Sequence, residues 1–249
     1  MRYAISMWKS TRMIVLCATC AAIYAATLIA FKTALPLIPG ITEVRVANVF
    51  PMAFGLMFGP SAAWGLAIGN LIGDIFGGTL GPGSLAGFFG NFFLGYLPYA
   101  MWTNLFPLSP KRYTWERKGW RLWVNFMVIN FVASASCAIV ISTFLDFLGF
   151  VPYPVLSKII TLNDFIGGIV SLLLLIGVYE TVKRQLGLLW IDVMGLEEEM
   201  GKSWVKTIAC YMLLFASLLG IFGPYVLSIP DLYGGFVSSV IIFVSVFLL

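Results

Sequence analysis

The sequence predicts an all-α integral membrane protein: a six-helix bundle followed by two additional C-terminal transmembrane helices, with both termini cytoplasmic. Three observations carry this. Apolar residues make up 60% of the 249 and charged residues only 10%, the balance of a chain whose solvent is hydrocarbon. Uncharged stretches of bilayer-spanning length recur along it. With the N-terminus placed inside, Lys32, Arg45 and Lys158 are the only three of the fifteen lysines and arginines that fall on the outer side, which is the asymmetry that sets topology.

The elements follow in order. Arg2, Lys9 and Arg12 precede the uncharged run Met13 to Phe31. This start resembles a signal peptide, but the run is long enough to span and has no clear cleavage site, so it stays as a first helix over about 12–35, ended by Pro36 and Pro39. A Pro- and Gly-rich loop carrying Glu43 and Arg45 comes next. The following uncharged stretch, Val46 to Gly73, is too long for one typical span and is broken at Gly59-Pro60, so it reads as two short helices, about 47–58 and 61–77. Gly78 to Ser84 reads as a turn. Helices over about 85–106, 121–146 and 159–182 complete the six, and two more follow at about 204–227 and 232–249, separated by Pro224, Pro230 and Asp231. Fusing the two short helices into one would carry the basic loop 111–121 outside, so charge supports the count. The domains are therefore 1–184, a six-helix substrate-binding membrane unit; 185–203, an acidic cytoplasmic linker in which Glu197, Glu198 and Glu199 form a solvated loop; and 204–249, the added pair.

Several functions are excluded by what the chain lacks. It has no histidine to serve as a base, no Walker motif and no HExxH, so no catalysis, cofactor or metal is expected. The net charge of +4 sits on no soluble domain, so nucleic acid is not a partner. Cys17, Cys20, Cys137 and Cys210 all lie in apolar segments and read as small apolar residues. The CxxC formed by Cys17 and Cys20 has no second ligand pair.

Polar residues inside the spans converge on the outer side. Asn70 and Asp74 are one turn apart near the end of the helix over 61–77. Asn91 falls in the outer half of the next, Asp146 at the top of the fifth, and Asn163 with Asp164 at the top of the sixth. With Glu43, Arg45 and Asn48 from the first outer loop they mark a ligand site, since such groups face a bundle interior or a watery cavity. The competing reading is that Arg45 and Asp74 pair only to lock the bundle. Gly65, Gly69, Gly73 and Gly77, and Gly83, Gly87 and Gly95, form small-residue seams that bring Asn70, Asp74 and Asn91 together. Asn125 and Asn130 are expected to bond between helices, Glu180 to pair locally with Lys183 or Arg184, and Tyr96, Tyr99 and Trp102 to anchor the inner interface.

Ala18, Ala22, Ala26 and Ala30 recur every four residues in the first span, with Ala21 and Ala25 beside them. They give one helix face a strip almost without side chains, which another helix can approach closely. The approaching helix is either a neighbour in the same bundle or a second protein, and the second is the sharper expectation.

With this strip, the six-helix count, the long first loop and the run VRVANVFPMAFGLMFGPSAAWGLAIGNLIGDIFGG, the chain resembles the substrate-binding S components of energy-coupling factor (ECF) vitamin transporters, over about residues 10–184. The resemblance implies that Ala18, Ala22, Ala26 and Ala30 dock against an ECF transmembrane coupling protein driven by two cytoplasmic ATPases, in the plasma membrane, and that the subunit topples to release its substrate. It implies that the loop with Glu43, Arg45 and Asn48 is a lid, and that Asn91, Asn163 and Asp164 lie where the site is lined. The two C-terminal helices depart from the family pattern. A small polar metabolite with an anionic or amide group, such as a vitamin or a modified-base precursor, suits the residues. The alternative is an ion-coupled secondary transporter or channel acting alone through Asp74 or Asp164, for which an inverted repeat with broken helices would speak. None is evident in the sequence. A membrane enzyme or scaffold would need a polar cluster on the cytoplasmic side, where the basic loop is better explained by topology.

Overall fold

The computed structural model describes residues 1–31, 36–38, 42–43, 45–115, 119–197 and 203–249, with backbone alone for 36–38 and 42–43. Each predicted helical segment contains a helix among the described residues; 32–35, the expected end of the first, lie outside them. A short α1 (Arg2–Ser6) and a 3-10 turn lead into α2 (Thr11–Phe31). A small antiparallel pairing of β1 (Pro36–Ile38) with β2 (Thr42–Glu43) precedes a 3-10 turn, Val46–Val49, and then α3 (Pro51–Phe58), α4 (Pro60–Phe76) and α5 (Pro82–Trp102). The chain continues as α6 (Trp120–Phe147), α7 (Tyr153–Glu180) running into a π turn, α8 (Trp190–Val193), α9 (Trp204–Val226) and α10 (Asp231–Leu248). Among the described residues α2, α6, α7 running on through α8, α9 and α10 are long and apolar enough to cross a membrane by themselves. The glycine-rich α4, at 17 residues, and α5, whose apolar run is diluted by glycine, Asn91 and Pro98, are not in that set.

The break at Gly59-Pro60 has two causes. Gly59 adopts φ +50°, and a side-chain carbon there would meet the Trp190 ring at 2.5 Å, so conformation and packing both require glycine. Pro60 then occupies the first turn of α4, where its missing N–H costs nothing. Residues 46–58 thus run from the Arg45 end of the bundle to the Trp190 end.

Glycine sets how closely the helices approach. Along α4, a side-chain carbon at Gly65 would lie 2.6 Å from Cys20 Cβ, one at Gly69 2.8 Å from the Ala21 carbonyl, and one at Gly73 3.1 Å from Leu28. The buried face of α2, with Cys17, Cys20, Ala21, Tyr24, Ala25 and Leu28, therefore lies directly on α4. Gly95 on α5 meets Leu66 and Ala63 of α4, and Gly90 meets Ile141 of α6. Asn125 Nδ2 donates to the Trp102 carbonyl at 3.0 Å and Asn130 Nδ2 to the Phe165 carbonyl at 2.9 Å, so both bond between helices as expected. Arg184 pairs with Glu180 at 2.6 Å.

The added helices seat on α6 and α5. Gly220 of α9 abuts Ile139 and Gly235 of α10 abuts Thr143. The Tyr153 hydroxyl donates to the Gly220 carbonyl at 2.9 Å, and Phe243 meets Phe93 edge-on with ring centres 5.0 Å apart.

Two expectations need correction at the end of the bundle away from Arg45. Tyr96, Tyr99 and Trp102 are buried and do not anchor an interface. Trp190 sits edge-on to Tyr3, Tyr99 and Tyr113 at 5.5, 5.2 and 5.3 Å, and Trp102 lies against Trp115, so the aromatic rings form a floor under the helices. Nor is the linker from 185 wholly solvated: Leu189, Trp190 and Ile191 are buried in that floor, because an apolar run next to an exposed patch of rings is better placed against it than in water. Glu197 is exposed, while Glu198 and Glu199 lie outside the described residues.

Candidate functional site

Where α4 ends, α5 begins, α6 ends and α7 begins, the helices splay around a cavity of about 210 Å³. Arg45, Asn70, Asp74, Asn163 and Asp164 line it, with Thr79 and Gly81 to Ser84 at one side and Cys137, Ile141, Leu145, Leu156 and Ile160 as an apolar wall. A few convergent polar groups set in a mainly apolar wall are the usual make-up of a small-molecule site.

The upper polar groups form a chain. Arg45 follows β2 and presents its main-chain N–H to Asn163 Oδ1 at 3.3 Å and its guanidinium to Asn70 Oδ1 at 3.2 Å. Asn70 Nδ2 donates to Asp74 Oδ2 at 3.2 Å, one turn along α4, and the Thr79 hydroxyl donates to Asp74 Oδ1 at 3.2 Å. Gly87 of α5 makes room for this chain, because a side-chain carbon there would stand 2.9 Å from Asn70 Nδ2. The cluster thus joins Arg45 to Asp74 through Asn70, and all three residues line the cavity.

A second, deeper tier supports the first. Asp164 is buried on α7, with Oδ1 accepting from Asn48 Nδ2 at 2.5 Å and Oδ2 without a hydrogen-bond partner. The Tyr24 hydroxyl lies 3.3 Å from Asn48 Oδ1 and 2.7 Å from Asn91 Oδ1, and Asn91 Nδ2 donates to the Gly87 carbonyl at 2.8 Å. Gly167 lets the Asn48 backbone lie directly on α7, at 2.6 Å from where a side-chain carbon would be. Asn48 and Asn91 therefore stand behind the cavity wall, whereas five of the eight sequence-predicted residues line it. The eighth, Glu43, belongs to β2, and its side chain lies outside the described residues.

Sequence reasoning did not single out Tyr24, Cys137 or Thr79 for this site. Tyr24 carried a usable signal: it falls on the buried phase of α2 between Ala21 and Leu28, and a buried tyrosine hydroxyl must find a partner. Cys137 and Thr79 carried none, since a cysteine or threonine in a membrane helix or turn is unremarkable without its neighbours.

Ala18, Ala22, Ala26 and Ala30 are all exposed, while Ala21 and Ala25 are buried against α4. The Thr19 and Thr27 hydroxyls beside the strip turn back to the Val15 and Ile23 carbonyls at 2.9 Å, so that face presents no hydroxyl group seeking a partner. Among the described residues, no helix of this chain covers the strip.

The sequence profile of the QueT transporter family matches residues 14–195, which holds α2 beyond its first three residues, α3 to α8 and every residue named as lining the cavity. No curated protein and no solved structure matches the chain.

Proposed function

The chain belongs to the QueT transporter family, whose members are substrate-binding S components of ECF transporters and not enzymes, and on that premise we propose that its cavity captures a queuosine precursor, a small modified-base precursor, at the outer face of the cell membrane. QueT S components work with ECF ATPase and transmembrane components. The observation that carries the substrate reading is the cavity itself: hydrogen-bonding groups of both kinds, set against an apolar wall that suits the faces of a flat heterocycle. Outward opening is supported by charge, since Arg45 and Lys158 are at the cavity end and Arg2, Lys9, Arg12, Lys111 and Arg112 belong to segments at the other. In this reading both termini are cytoplasmic. The exposed alanine strip of α2 is the docking face, where the coupling protein's helices come within backbone distance, two cytoplasmic ATPases supply the work, and toppling carries the site inward.

The test is purification of the tagged chain in mild detergent, with mass spectrometry of co-purified proteins and small molecules. A transmembrane partner, two ATPases and a bound modified base are the expected result. A chain that purifies alone and accumulates solute in liposomes under an ion gradient would overturn it.

A further inference from the structure

Tyr24, Asn48, Asn91 and Asp164 come from four separate segments and meet in one buried hydrogen-bonded chain, although only Asp164 lines the cavity. Tyr24 is 0% exposed, Asn91 1% and Asn48 2%, so every polar atom among them must be satisfied internally. The orientation of each amide is fixed from one side: Asn91 turns its NH₂ to the Gly87 carbonyl and Asn48 turns its NH₂ to Asp164. Both amide oxygens are thereby aimed at the Tyr24 hydroxyl, whose single hydrogen they share, Asn91 at the shorter distance of 2.7 Å and Asn48 at 3.3 Å. The outcome at the far end is an asymmetric carboxylate. Asp164 Oδ1 is occupied by Asn48, and Oδ2 is buried without a hydrogen-bond partner on a residue that lines the cavity, with the Arg45 charge and the Cys137 thiol nearby.

Resting on the reading of the cavity as a modified-base site, we propose that Asp164 Oδ2 accepts a ring N–H of the ligand and that Tyr24 is a positioning residue, holding Asn48 so that this one oxygen is left for the ligand. The site then selects donors at that point. A base with an N–H there completes the carboxylate's hydrogen bonding, whereas a base with a ring acceptor or an N-methyl group leaves a buried oxygen unmatched or blocked, which sites built on hydrogen bonds reject strongly. Removing the Tyr24 hydroxyl takes away the one hydrogen that the two amide oxygens share, frees the Asn48 amide to turn, and lets Asp164 reorient. Affinity and selectivity fall together.

The test measures binding of a radiolabelled queuosine precursor base, and competition by the same base methylated on its ring N–H, to the purified full-length chain as wild type, Tyr24→Phe, Asn48→Ala and Asp164→Asn. Wild type is expected to prefer the unmethylated base by about a hundredfold. Tyr24→Phe and Asn48→Ala are expected to lose about tenfold in affinity and most of the preference, and Asp164→Asn to lose the preference altogether. A purely structural Tyr24 would lower thermal stability or affinity for both bases in proportion and leave their ratio intact, which overturns the proposal, as does an unchanged ratio in Asp164→Asn. Should Tyr24→Phe not fold, the ratio in Asn48→Ala decides. Failure of the wild type to bind the precursor base at all would instead defeat the substrate reading on which the proposal rests.

Discussion

Asp74 and Asn91 are both polar, both on glycine-rich helices and both near the cavity, yet they do different work. Asp74 accepts from Asn70 and Thr79 at the cavity edge. Asp74→Ala leaves those two donors to find other partners beside the ligand, and since each unmatched polar group costs about 1–3 kcal/mol, ligand affinity is expected to fall about tenfold or more. Thermal stability of the unliganded protein should change little, because Asp74 is only half-buried. Asn91 touches no cavity space and accepts from Tyr24, so Asn91→Ala should lower both binding and melting temperature. Isothermal titration and thermal unfolding of the two variants in detergent separate the effects, and an Asp74→Ala protein with wild-type affinity would remove the upper chain from the site. Most of this was legible at the level of residue type, because carboxylates and amides in hydrocarbon are costly and tend to gather. Which of them face the cavity was not, since Asn48 and Asn91 differ from Asn70 and Asn163 only in what the neighbouring helices do.

At the scale of the element, α2 has two faces made of the same small residues with opposite fates. Cys20 and Ala21 are pressed against Gly65 and Gly69 of α4, and Ala18, Ala22, Ala26 and Ala30 are left uncovered. Gly69→Val would drive branched carbons into the Ala21 carbonyl, 2.8 Å from even the first of them, and towards Tyr24 Cβ at 3.2 Å. It is expected to cost about 1–3 kcal/mol in stability, read as a lower melting temperature, and to disturb the Tyr24 hydroxyl. Gly177→Ala, at a helix position with nothing within 4 Å, is the control and should be neutral or mildly stabilising. On the other face, Ala22→Trp and Ala26→Trp put a bulky ring where the proposed docking helix would lie. Ligand binding should stay within about twofold while uptake in cells carrying the coupling module is abolished, and uptake retained in both would sink the docking role. The alanine period was visible in the sequence, but which phase turned inward was not. That depends on the Gly65, Gly69 and Gly73 seam choosing Cys20, Ala21 and Leu28 as its partners, a match of surfaces that periodicity alone does not rank.

For the molecule as a whole, the open matter is what α9 and α10 are for. The family profile ends at residue 195, α9 begins at Trp204, and the cavity lining reaches no further than Asp164. The helical order and the place of this pair were readable from the proline breaks and apolar lengths, whereas its seat on α6 was not, because Gly220 and Gly235 on the added helices and Ile139 and Thr143 on α6 are ordinary membrane residues until paired. The pair holds its place by close glycine contacts, by Tyr153 donating to the Gly220 carbonyl and by rings such as Phe243 on Phe93, all remote from the exposed face of α2. A chain ending at residue 203 would turn Ile139 and Phe93 towards lipid, which accepts them, and would leave the Tyr153 hydroxyl without its acceptor, a loss of about 1–2 kcal/mol. The truncated protein is therefore expected to melt at a lower temperature in detergent, to bind its ligand with a Kd within about threefold of the full chain, and to support uptake. Lost binding would mean that the pair shapes the cavity through α6. Binding kept with uptake lost would make α9 and α10 part of the surface that meets the coupling protein, and would shift the docking face away from α2 alone.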